Sequence, residues 1–220
     1  MDLLLADRLS CPRCGPGFGL ILLADRVVER RVIAGRFGCP NCRDRFPVVG
    51  GFADLRAPPR GALAAGPLPP AADPEGTTRV AALLGIGEGP GHVGLVGPVV
   101  RHASALAALV PELGVVAIAP ELQEAREEAR VSRMVTRPGL PFHSGTLRGV
   151  VLSGSGTERL LEEAARVVAP GARVVVLDAG PGARTLLEHS GLRVLLEERG
   201  VLVAERTGPR PPGGRRLPLV

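Results

Sequence analysis

Four cysteines constrain this chain more than any other feature. They fall as Cys11-Pro12-Arg13-Cys14 and Cys39-Pro40-Asn41-Cys42, with 24 residues between the pairs. A Cys-x-x-Cys turn aims two thiolates at one point, and two such turns complete a tetrahedral sulfur cage suited to structural Zn2+. The proline after each first cysteine holds its turn, and Gly15 can relax the backbone behind the first. Two disulfides or a redox pair are the competing readings. A redox Cys-x-x-Cys opens a helix beside a parallel strand, and neither pair has that setting. The expectation is a closed zinc site on Cys11, Cys14, Cys39 and Cys42, with no open position for catalytic water.

Composition bounds the rest. At 220 residues there is room for a ribbon of about 55 residues and one domain of about 140. Hydrophobic content of 45% supports a core, although aromatics are 2% and Trp and Tyr are absent. All 27 basic residues are Arg, a bias that fits a GC-rich genome as well as it fits function. A net charge of +5 permits contact with RNA or an acidic partner through an Arg-rich surface, while the lack of aromatics argues against a base-stacking platform. No apolar run reaches membrane-spanning length, and Asp2 and Asp7 do not suit a signal peptide. Zinc thiolates agree with a cytoplasmic location.

Residues 2–9 form a leucine-rich lead into the first cysteine pair, and Phe46-Pro47-Val48-Val49-Gly50-Gly51-Phe52-Ala53-Asp54-Leu55 follows the second. This frame resembles the small zinc-ribbon family that activates methyltransferases of the translation apparatus. The resemblance covers about residues 1–56 and implies a protein–protein module that does no chemistry itself. Residues 18–23 and 31–37 read as its hairpin strands. Residues 57–77 turn to Pro, Gly and Ala and read as a semi-rigid linker.

Beyond the linker, helical and strand patterns alternate. Helices are expected at 78–84, 101–109, 121–130, 157–168 and 182–189, and strands at 92–96, 114–118, 131–135, 148–153 and 173–178. A closing hairpin spans 192–198 and 201–206. The order predicts an α/β, Rossmann-like, mostly parallel sheet. Residues 78–206 resemble the class I S-adenosylmethionine-dependent methyltransferases, most closely at Leu160 to Asp178. That likeness implies a seven-stranded sheet whose last strand is antiparallel. Residues 207–220 read as a basic, Pro/Gly-rich tail.

The family's cofactor positions map poorly onto this chain. The turn after the first strand reads Gly97-Pro98-Val99-Val100-Arg101, with one glycine where the family has several. Ala119 stands at the ribose-gripping position, with Glu121 two residues late; Thr136 stands where an acid meets adenine, and Arg148 replaces the acid before the fourth strand. If the domain is active, Gly97, Glu121 and Thr136 are the cofactor-binding residues. A second glycine-rich run, Gly85 to Gly91, reads as the loop before the first strand. Ser153 reads as a turn residue more than a nucleophile, and His102 and His143 as surface histidines. Two functions compete. The preferred one is a non-catalytic scaffold, a pseudo-methyltransferase that has lost its cofactor site, does not take S-adenosylmethionine and works through a protein partner. The alternative is an active methyltransferase on RNA or a translation protein.

Overall fold

The computed structural model describes residues 1–63, 66–67 and 70–208. Part of the expected linker (64–65 and 68–69) and most of the expected tail (209–220) lie outside the described residues.

The first section supplies a 3-10 turn, Leu3–Arg8, and six strands: β1 (Ser10–Cys11), β2 (Gly15–Gly19), β3 (Ile21–Val28), β4 (Arg31–Gly38), β5 (Arg45–Val49) and β6 (Phe52–Arg56). Next come α1 (Pro74–Leu84), β7 (Gly91–Val96), α2 (Ala103–Leu109), β8 (Leu113–Ile118), β9 (Val131–Arg137) and β10 (Leu147–Leu152). The chain closes with α3 (Leu161–Val167), β11 (Val168–Leu177), α4 (Ala183–His189), β12 (Leu192–Glu198) and β13 (Val201–Arg206).

The main sheet runs β12-β13-β11-β10-β7-β8-β9-β6-β5-β4-β3. Strands β7 to β11 are mutually parallel where they pair, and β13 lies antiparallel to both β11 and β12. The expected sheet of seven strands is corrected to eleven. Its outer strand β9 would present an open ladder, and β6 fills it in parallel from Phe52↔Arg133 to Arg56↔Arg137. The ribbon hairpins then continue the sheet antiparallel.

One core crosses this join. Met1, Leu5, Leu9, Phe37, Phe46 and Leu55 from the first section are buried with Met134, Phe142, Leu147 and Leu152. The opposite face of the parallel strands is covered by α1 and α2, with Val80, Leu84 and Leu106 against Val93, Leu95 and Val115. Helices on both faces follow from parallel strands that are apolar on both sides. Polar contacts tie the sections as well. Ser10 N donates to the Pro141 carbonyl at 2.9 Å, and His143 N to that of Arg8 at 3.0 Å. Arg31 Nε reaches Glu127 Oε2 at 2.8 Å, and Arg133 Nη2 donates to the Gly50 carbonyl at 2.6 Å. Burial opposes ionisation of Glu127, but the Met1 ammonium and Arg31 outweigh it and hold the carboxyl below its usual range.

Three local expectations change for physical reasons. Helix α1 starts at Pro74, not at residue 78. Asp73 caps it by accepting from Gly76 N, and Pro74 suits the first helical position. The helix expected over 121–130 is reduced to a 3-10 turn, Pro120–Glu124. Buried Arg133 donates to the carbonyls of Leu122 and Ala125, which a continuing helix would need for itself. The strand expected at 173–178 starts earlier: β11 begins at Val168, and Pro170-Gly171 lies in a register shift between Leu147↔Val168 and Gly149↔Arg173. Gly85 to Gly91 is the loop after α1, with Gly85 in the left-handed conformation that ends the helix.

Candidate functional site: a four-cysteine centre and a cleft at the carboxyl ends of the central strands

The four cysteines converge. All four Sγ atoms lie within 4.8 Å of one another, with Cys11 to Cys42 at 3.7 Å and Cys39 to Cys14 at 3.8 Å. Zinc–sulfur bonds of about 2.3 Å in a tetrahedron place sulfurs about 3.8 Å apart, whereas a disulfide needs about 2.05 Å. The cysteines are unbridged, so the donor set fits Zn2+. The backbone shapes both knuckles. Cys14 N donates to Cys11 Sγ at 3.4 Å, and Arg43 N to the Cys39 carbonyl at 2.9 Å. Asn41 Nδ2 donates to Cys14 Sγ at 3.3 Å, and Arg13 pairs with Asp44 at 3.1 Å to bridge the knuckles. Gly15 sits at φ 89° with open space where a side chain would be, so backbone conformation is what requires glycine there.

The second feature is a cleft of about 340 Å3 at the carboxyl ends of β7, β8 and β9. Its walls include Gly97 and Pro98 after β7, Ala119 and Glu121 after β8, Thr136 on β9, and Leu160. The three residues named from the sequence, Gly97, Glu121 and Thr136, are thus brought together. Parallel sheets bind ligands in crevices of this position, and the volume lies in the usual range for small-molecule sites. Thr136 Oγ1 donates to the Gly139 carbonyl at 2.6 Å, which leaves its lone pairs free to accept.

The turn after β7 is a 3-10 helix, Gly97–His102. Gly97 has φ 79°, and a Cβ there would lie 2.2 Å from the Ser153 carbonyl oxygen. Ser153 Oγ accepts from Val99 N at 2.8 Å, so the hydroxyl serves the turn, as a turn residue should. Val99 and Val100 are each 3% exposed and pack in the α1–α2 core, not in the cleft. Replacing Gly97 by Ala combines a left-handed φ with a backbone clash. The expected cost is about 1–3 kcal/mol or more, read as a lowered denaturant midpoint with an unchanged slope. An unaltered midpoint would contradict this account of the turn.

The other candidates lie elsewhere. His102 is buried, not at the surface, and burial, with Arg101 beside it, pushes its pKa down. Arg101 Nε donates to its Nε2 at 3.1 Å, and Nδ1 is 2.9 Å from Thr77 Oγ1, whose own proton goes to the Asp73 carbonyl. That network fixes α1 on α2. His143 Nδ1 lies 2.8 Å from the Pro16 carbonyl, beside the ribbon. Arg148 donates to the carbonyls of Glu88 and Pro90 and lies away from the cleft.

No family model matches the chain, and no curated protein matches it. Solved structures do. A chain of the complex between the Haloferax volcanii Trm112 methyltransferase activator and a methyltransferase is 16% identical, with a TM-score of 0.48; the match covers 60% of this chain and 90% of that one. Precorrin-6y C5,15-methyltransferase from Geobacter metallireducens is 14% identical, with a TM-score of 0.48, 66% and 94% being covered. The N-methyltransferase NodS from Bradyrhizobium japonicum is 11% identical, with a TM-score of 0.42 and coverage of 61% and 96%. The fold is methyltransferase-like. That description rests on the order β9-β8-β7-β10-β11-β13-β12, with β13 antiparallel, within this molecule.

The preferred expectation of a non-catalytic scaffold with a lost cofactor site is overturned. Val99 and Val100, which stand in the turn in place of the family's glycines, pack into the core, and the cleft stands open. Among the described residues, no helix is long and apolar enough to cross a membrane.

Proposed function

We propose that this chain is an S-adenosylmethionine-dependent methyltransferase that carries its zinc ribbon in cis and acts on RNA or a protein of the translation apparatus. The observation that carries the reading is the open cleft on which Gly97, Glu121 and Thr136 converge. The cofactor supplies an electrophilic methyl group when bound. Glu121 is the acid that grips the ribose hydroxyls, from two residues beyond the usual position, and Thr136 Oγ1 accepts from the adenine amino group. Val96, Ile118, Val135 and Leu160 supply the apolar walls. The ribbon acts on this cleft through β6, whose Leu55 pairs with Thr136 in the parallel ladder. The substrate class follows from the resemblance of residues 1–56 to activators of translation-linked methyltransferases.

Glu121→Ala tests the assignment. Hydrogen bonds to a charged group contribute about 1.5–3 kcal/mol, so affinity for S-adenosylmethionine falls roughly tenfold to a hundredfold. Glu124→Ala, which lies outside the cleft, leaves affinity unchanged. Equal effects of the two substitutions, or none from Glu121→Ala, would remove Glu121 from the ribose role.

A further inference from the structure

Strands β3, β4 and β5 form the end of the sheet farthest from β12, and their pairing sorts side chains between two faces. Leu22, Phe37 and Phe46 stand in one cross-strand row that packs on the core. The alternate rows face outward: Ile21 with Gly38 and Arg45, Leu23 with Arg36 and Pro47, Arg26 with Ala34 and Val49. Ile21 is 56% exposed, Leu23 47% and Val49 72%. Exposed apolar side chains on one sheet face, interleaved with arginines, have the composition of a protein interface.

The charges say what would cover it. Three guanidiniums, Arg26, Arg36 and Arg45, stand on this face; Asp25 lies 3.9 Å from Arg36, and Asp54 and Glu124 share a hollow with Pro47 and Val49, Asp54 being paired with Arg56. A second copy docked face to face would set arginine against arginine. Single-stranded nucleic acid uses aromatic stacking platforms, and the outward rows hold none. The bulge at Asp25 breaks the register of β3 and blunts it as an edge for adding a strand, so the face is the better surface. We propose that the outward face of β3, β4 and β5 docks an acidic protein segment, whose apolar side chains cover Ile21, Leu23 and Val49 and whose carboxylates pair with Arg26, Arg36 and Arg45.

The test uses the zinc-loaded full chain and a fluorescein-labelled peptide alternating Glu with Leu, read by anisotropy, with single-stranded poly(U) as competitor. The expected result is saturable binding that weakens with salt. It falls at least about tenfold in both Ile21→Ser/Val49→Ser and Arg36→Glu/Arg45→Glu, but holds in Leu195→Ser at the opposite edge. All substituted residues are at least partly exposed, and zinc content confirms that each variant folds. No binding at high micromolar protein, or equal binding by all variants, overturns the proposal. Displacement of the peptide by poly(U) at lower concentration also overturns it, making the face a nucleic-acid surface.

Discussion

A Cys39→Ser variant is expected to lose its zinc and, with it, the cooperative folding of the whole chain. Structural zinc contributes about 10–16 kcal/mol of apparent binding free energy, against a typical total stability of about 5–15 kcal/mol. From the sequence, the ribbon reads as a separate module whose loss would leave the second section largely intact. The joined sheet changes that expectation. Unfolding of residues 1–56 strips β6 from β9 and uncovers Met134 and Phe142, both fully buried in a core shared with Phe37 and Phe46. The measurement is metal content together with a thermal melt, with and without chelator. Loss of zinc with an unchanged main transition would contradict the shared core.

Phe142→Ala is the second large effect. Its side chain is fully buried, and residue 142 bridges Leu9 across the join between the two sections. Truncating a buried Phe costs about 3–5 kcal/mol, because transfer free energy is lost and a cavity remains. For a chain of this length, the melting temperature should fall by roughly 6–20 °C. A loss under about 1 kcal/mol would mean that the site collapses freely and that Phe142 does not anchor the join.

Much of this was legible in the sequence. The paired CPxC turns are local, so spacing alone announced the metal cage that the sulfur distances fit. Apolar runs such as residues 92–96 and 114–118 marked buried parallel strands, and they occupy the centre of the sheet. What the sequence hid is long-range. The pairing of β6 with β9 joins residues about 80 apart, and neither strand's pattern specifies an edge partner. Arg133 looks like a surface charge, yet it is 3% exposed and draws carbonyls away from the helix expected after Pro120. Val99 and Val100 illustrate the same limit at the cleft. Their direction depends on the left-handed Gly97 and on Ser153, 54 residues downstream, whose hydroxyl holds Val99 N. Counting glycines in the turn could not reveal that the valines would face the core.

The proposed function requires the cleft holding Gly97, Glu121 and Thr136 to take the methyl donor. Calorimetric titration of the zinc-loaded full chain with S-adenosylmethionine tests it most directly. The account predicts saturable one-to-one binding with Kd at or below about 100 μM, with S-adenosylhomocysteine competing for the same site. Absence of saturable binding of either compound at high micromolar protein, with zinc at full occupancy, would contradict it.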